Sequence, residues 1–325
     1  MKTNVYNKGK FTVYDVIFSD LTDLYNYLKS NPKVNKKIFP RNIRASIKND
    51  STLGFDLDKA IEYIPGGYEE NIKNFLTLKE NMTGTSIETR ESRDVTIGVY
   101  GGIPFVPNVV KGVSDCMISY DRNSEVKVRN IYFGLSYPIF SSDDMILNRG
   151  LIALYIIDAL EKKGELINLK TFQASGNGNE IIRIEIGLKK SREMSIDPRK
   201  CYFPLARKEF FRRILFRVFE SVDAKEPWGE NGYGNTLSKD KLKDFFEIPD
   251  QDIVIPSPHE IGIKGNNIYD DTISAITALG LENEFDLNKI RNLKEKTKKK
   301  VLWNIFFFCM IVFAIYYQYN ALIKG

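Results

Sequence analysis

The sequence predicts an α/β protein built on an open, mostly parallel sheet with an antiparallel edge strand. Three consecutive stretches carry this expectation. VKVRNIYFGLS (126–136) is rich in β-branched and aromatic residues, as a buried strand is. MILNRGLIALYIIDALEKKG (145–164) is apolar around most of a helical circumference, so it packs between layers. ELINLKTFQAS and NEIIRIEIGLKK alternate as strands and meet at the Gly176–Asn179 turn. Gly164 is the expected end of the helix, and the next strand begins directly after it. A strand, a helix and a strand joined this tightly form a right-handed parallel crossover. The glycine-rich turn then folds a third strand back antiparallel.

Composition narrows the chemistry. Apolar content of 43% and charged content of 27% are ordinary for a globular protein, and 325 residues suffice for one large domain or two small ones. The net charge of +5 is unevenly placed. Residues 289–300 hold seven Lys/Arg against one Glu, so the rest of the chain is slightly acidic. No general attraction for nucleic acid is expected of the folded part. Cys116, Cys201 and Cys309 have no paired spacing, which argues against a disulfide framework or a zinc site. His259 is the single histidine, so histidine-based acid–base chemistry and His-rich metal sites have little to work with. No cofactor is implied. The first residues, MKTNVYNKGKFTVYDVIF, lack the apolar run of a signal peptide.

Residues 1–125 read as an α+β region packed on the core. KFTVYDVIF is a strand, and DLTDLYNYLKS a helix capped by Asp20 with Leu21, Leu24, Tyr25 and Leu28 on one face. Asn31-Pro32 ends it. A polar, basic connection follows. DLDKAIEYI, opened by Asp56, and EENIKNFLTLKENM are two short helices separated by Pro65-Gly66-Gly67. Val95, Ile97 and Val99 alternate as a half-buried strand. Gly101-Gly102 with Pro104 and Pro107 reads as a rigid turn, since the phosphate-loop spacing is missing. Asn108 is the expected cap of NVVKGV.

Residues 126–288 hold the predicted sheet domain. Beyond the three stretches above, a helix is expected over about Leu205–Val222, with Phe211, Ile214, Leu215, Val218 and Phe219 on its apolar face. Arg207, Arg212, Arg213 and Arg217 lie opposite as a basic face, either solvated or a patch for phosphate or an acidic partner. SKDKLKDFFEI is a polar helix, DIVIPSPHEIG a short strand stopped by Pro256, and YDDTISAITALGLENEF a last helix capped by Asp270. His259 follows that strand, at the end where open α/β sheets bind ligands, with Ser257 beside it. No Gly-x-Ser-x-Gly, His-Glu-x-x-His or Cys-x-x-Cys occurs.

This order, from VRNIYFGLS through the helix, the hairpin, the helix at Phe211 and DIVIPSP, resembles a von Willebrand factor A-type domain over about half of the chain. GIPFVPNVVKGVSDCM, RGLIALYIIDALEKKG and IDPRKCYFPLARKEFFRRILFRVFE are similar to an uncharacterised family of phage-encoded proteins, which implies no particular activity. The A-type resemblance implies a cation motif, Asp-x-Ser-x-Ser, after the first strand. Gly134-Leu135-Ser136-Tyr137-Pro138 stands there instead, so only Ser136 survives. Asp143 and Asp144 are the nearest further oxygen donors, and both also suit a helix N-terminus. A degenerate domain without its metal is therefore expected.

VLWNIFFFCMIVFAIYYQYNALI (301–323) is uncharged over 23 residues. At about 1.5 Å per residue it reaches roughly 34 Å, enough for a hydrocarbon core near 30 Å. Residues 289–300 form a basic juxtamembrane flank ending in Lys298, Lys299 and Lys300, which keeps that side cytoplasmic. Trp303 at one end and Tyr316 and Tyr317 at the other match an aromatic belt. The reading is a single-pass, tail-anchored membrane protein with its N-terminal domain in the cytoplasm, of the host cell if phage-encoded. Its expected role is non-enzymatic: to hold a protein partner at the bilayer. The alternatives are a nucleotide- or metal-binding enzyme domain at the strand ends, and a virion or nucleic-acid-associated protein using the four arginines.

Overall fold

A computed structural model describes residues 1–35, 44–48, 50–69, 72–86, 95–98, 103–104, 106–114, 116–120, 127–177, 179–193, 195–224, 239–297, 299, 303, 307–308 and 310. In chain order the elements are β1 (Lys2–Lys8), β2 (Phe11–Phe18), α1 (Leu21–Lys29), α2 (Leu57–Gly66), α3 (Ile72–Asn81), β3 (Val95–Gly98), β4 (Ile103–Pro104), α4 (Val106–Val110) and β5 (Met117–Tyr120). Then come β6 (Val128–Gly134), α5 (Asp143–Lys162), β7 (Leu166–Asn177), β8 (Glu180–Lys189), α6 (Pro198–Ala206), a π-helix (Phe210–Leu215), α7 (Phe216–Ser221), α8 (Lys239–Phe246), β9 (Ile253–Ile255) and α9 (Ile268–Ala278). Residues 287–297 are again helical.

The protein is α/β, with a six-stranded mixed sheet in the order β1-β2-β8-β7-β6-β9. The predicted core of it is present: β6 and β7 are parallel, and β7 and β8 form an antiparallel hairpin. β9 lies parallel to β6 on its other side. One expectation is corrected. β8 is not an edge strand, because β2 pairs with it in parallel and β1 closes the sheet beyond. β8 buries Ile182, Ile184 and Ile186 on one face, and a strand that apolar is stable only between neighbours. β1 itself is exposed along its length, and so gave little apolar signal in the sequence.

α5 is the central helix. Ser142 caps it by accepting the Met145 N–H, and Asp143 and Asp144 complement its N-terminal dipole. Thirteen of its residues are buried, which explains its all-round apolar sequence. Gly150 faces Ala206 of α6 so closely that a Cβ there would lie 2.5 Å from the Ala206 Cα. Gly164 ends the crossover at φ +89°, a conformation that suits glycine.

Three local expectations change. The single helix over Leu205–Val222 is broken. Asp197 and Pro198 start α6 earlier, Arg207 is extended, and the chain resumes as the π-helix and α7. An Asp cap with Pro at the first helical position was the available signal. α9 is capped by Asn267, whose Oδ1 accepts the Tyr269 and Asp270 N–H groups, so Asp270 lies inside the first turn. α4 begins at Val106 and contains Asn108. By contrast Asp20 caps α1 as expected, accepting the Asp23 N–H at 2.9 Å.

The segment between Ser86 and Lys127 carries β3, β4, α4 and β5. Its described strands form a separate three-stranded sheet, β3-β5-β4. Its roots are fixed: Ser86 bridges to Phe285, and Lys127 accepts the Leu166 N–H just before β6.

Candidate functional site

The carboxyl ends of β6 and β9 form a rim from two loops, 135–142 and 256–267. Arg149 of α5 ties their bases together. It is buried, and its Nη1 donates to the Gly134 carbonyl at 2.9 Å and the Pro256 carbonyl at 3.0 Å. Its guanidinium lies 4.5 Å from the centre of the Phe133 ring. Burial lowers its pKa to about 10. A lone arginine on an apolar helix gave no sign of this role, because both acceptors are backbone carbonyls.

Most of the predicted candidates sit on this rim. His259 is exposed, and its Nε2 is 3.1 Å from the Ser141 Oγ. Its ring lies 5.0 Å from that of Phe140. Ser257 is buried and donates to Glu260, which also accepts the Lys239 N–H. Ser136 is buried at the end of β6. Asp143 is exposed and bonded to the Lys208 ammonium at 2.8 Å, while Asp144 is exposed in the first turn of α5. Ser136 thus lies in the loop that leads into α5, and Asp143 and Asp144 in the first turn of that helix. Among the described residues no group of three or more His, Cys, Asp or Glu is placed to hold a metal ion. Sequence reasoning missed Ser141 as the partner of His259; they are far apart in the chain and meet only because β9 lies beside β6. It also missed Ile139 and Phe140, which are 70% and 74% exposed at the tip of the loop.

The four arginines do not share one face. Arg213 is fully buried and donates to four backbone carbonyls: Phe55 (2.8 Å), Ala45 (3.0 Å), Ile47 (2.6 Å) and Gly54 (3.3 Å). Arg207 forms a two-pronged pair with buried Glu209 at 2.9 and 3.1 Å and lies over the Tyr68 ring. Arg212 is buried with its guanidinium 5.3 Å from the Tyr137 ring centre. Arg217 donates to Asn31 and to the Pro32 carbonyl. The π-helix causes this: its wider turn places consecutive Arg212 and Arg213 both inside, where α-helical spacing had placed them outside.

A second surface lies on the segment between Ser86 and Lys127. Val106, Val109, Val110 and Val113 are all exposed, Val110 at 80%. Four apolar side chains within eight residues form the kind of surface patch that marks an interaction site.

The C-terminal helix begins as part of the body. Ile290 is fully buried, and Leu287 and Leu293 pack on the core. Lys294 pairs with Asp270 at 2.9 Å, and Thr297 donates to the Tyr269 hydroxyl. No helix of the described residues is long and apolar enough to cross a membrane. The predicted span 301–323 falls almost wholly outside them, as do Lys298, Lys300, Tyr316 and Tyr317. Lys299 and Trp303 are described as helical, and Trp303, Phe307, Phe308 and Met310 are exposed.

These features define an α/β protein with a six-stranded mixed sheet, a loop-built rim and an exposed valine cluster. Residues 2–283 match the family described as a domain of unknown function (DUF7192), and the chain belongs to it. No curated protein and no solved structure gives a significant match.

Proposed function

We propose that this chain is a membrane-tethered, non-enzymatic interaction protein that holds a protein partner through its 87–126 segment. The carrying observation is the exposed valine cluster at 106, 109, 110 and 113. The tether rests on the uncharged run 301–323 and its basic flank. By the positive-inside rule the body lies in the cytoplasm. We further read residues 126–288 as a degenerate A-type domain. The strand order β8-β7-β6-β9, with α5 following β6, supports that reading. Encoding by a phage, and hence a host-cell membrane, belongs to the same proposal.

The test uses the full chain in its host. Val109→Lys with Val110→Lys should abolish site-specific photo-crosslinks from the 87–126 segment to one discrete protein while leaving the melting temperature unchanged. An unaltered crosslinking pattern would overturn the assignment of that segment. Val312→Arg with Ala314→Arg should release the chain from carbonate-washed membranes, because each central arginine costs about 2.5–3.5 kcal/mol on insertion.

A hydrolytic reading is favoured by one observation, the 3.1 Å contact between Ser141 and His259. It predicts labelling by a fluorophosphonate probe that is lost in Ser141→Ala and in His259→Ala. Equal labelling of all three chains, or none, would dismiss it.

A further inference from the structure

The helix leading to the predicted span fixes which end of the body meets the bilayer. α5 and α9 both begin at the rim and run away from it. Asn148, near the start of α5, donates to Asp271 at the start of α9. At their far ends Lys163, just past α5, pairs with Glu284 at 2.7 Å. The 287–297 helix starts at that far end, where Lys289 donates to the Gly84 carbonyl. It then returns antiparallel to α9, so that Lys294 reaches Asp270 and Thr297 reaches Tyr269. By Thr297 the chain is level with the start of α9, which is the level of the rim.

The apolar run begins at Val301, four residues beyond Thr297. At helical rise, four residues would add only about 6 Å. The polar interface of a bilayer is roughly 5–8 Å deep on each side. A helix anchored by Leu287, Ile290 and Leu293 therefore holds the rim at the depth of the headgroups. The rim presents Ile139 and Phe140 there, its two most exposed large apolar side chains. Of the rim carboxylates, Asp143 and Glu260 are each engaged within the chain, and Asp144 is exposed at the first turn of α5. We infer that the rim is a membrane-contact surface, with Ile139 and Phe140 seated among lipid headgroups beside the tail anchor. The body is thereby held in one orientation, and the roots of the 87–126 segment, Ser86 and Lys127, face the cytoplasm. The inference rests on the tether proposed above.

The experiment reconstitutes the full chain in vesicles of brominated phosphatidylcholine with phosphatidylglycerol. Phe140→Trp and Val128→Trp are compared with the unsubstituted chain, and vesicle flotation is recorded for each. Val128 is exposed at the opposite end of β6. The fluorescence added by Phe140→Trp should be strongly quenched and that added by Val128→Trp should not. Flotation with neither signal quenched, or with both quenched alike, would overturn the orientation and leave the tether intact. Failure to float would overturn the tether and this inference with it.

Discussion

Arg213→Met tests how the body is held together. Arg213 joins the π-helix to the connection between α1 and α2 through four carbonyls of residues 45–55. Methionine keeps much of the apolar volume, so cavity formation adds little. What is lost is a buried cation's set of hydrogen bonds, each about 1.5–3 kcal/mol, against recovery of the guanidinium's own desolvation cost. Of the carbonyls left behind, that of Ala45 is buried and the other three are partly buried, and a buried polar group without its partner costs about 1–3 kcal/mol. The net expectation is a loss of about 2–4 kcal/mol, set by the hydrogen bonds lost and the carbonyls left without a donor. Urea unfolding of the full chain in detergent, followed by near-UV circular dichroism, measures it. Limited trypsinolysis at Lys48 should accelerate in parallel, since its segment would lose its ties. Arg217→Met, which removes hydrogen bonds to the Asn31 side chain and the Pro32 carbonyl, is the comparison, with an expected cost below about 1 kcal/mol. If Arg213→Met costs no more than Arg217→Met, the clamp reasoning fails.

Gly150→Ala should lower stability by about 1–3 kcal/mol or more, since its Cβ would lie 2.5 Å from Ala206 in α6; an unchanged urea midpoint would show that the two helices part freely. Ending the chain at Asn288 should destabilise the body by about 3–5 kcal/mol, because buried Ile290 and partly buried Leu293 leave the core with the tail. A chain ending at Lys299 should retain the stability of the body, and equal melting of the two truncations would contradict the docked helix. Burial alone would raise the Glu284 pKa, but Lys163 and Arg129 hold it below its ordinary value of 4.5. Its stabilisation is therefore complete above that value and lost as pH falls through the lower folded pKa. Glu284→Gln should flatten the fall in stability as pH drops below 4.5, and a variant with the same acid slope as the parent would refute the assignment.

The elements that were legible in the sequence carried their own apolar period. β6, α5, β7 and β8 bury residues in the patterns expected of strands and of an enclosed helix, so local sequence suffices for them. β1 was not legible because an exposed edge strand needs no apolar period. The break at Arg207 was masked by apolar residues continuing at helical spacing through it. Of the rim, Ser136, Asp143, Asp144, Ser257 and His259 were named from chain position at a strand end. Ser141, Arg149, Ile139 and Phe140 were not, because their roles depend on which strand lies beside β6.

The sequence by itself determined the α/β class, the β6–α5–β7–β8 unit and the uncharged C-terminal run, since each is written in local hydrophobic pattern and turn chemistry. The tertiary structure decided what the charged and polar residues do. Arg213 and Arg149 carry no local mark separating a buried clamp from a solvated charge. Their partners are backbone carbonyls brought in from distant segments, and every residue supplies such a carbonyl. The direction in which the C-terminal helix leaves the body was likewise set by packing, through the side chains that bind it along α9.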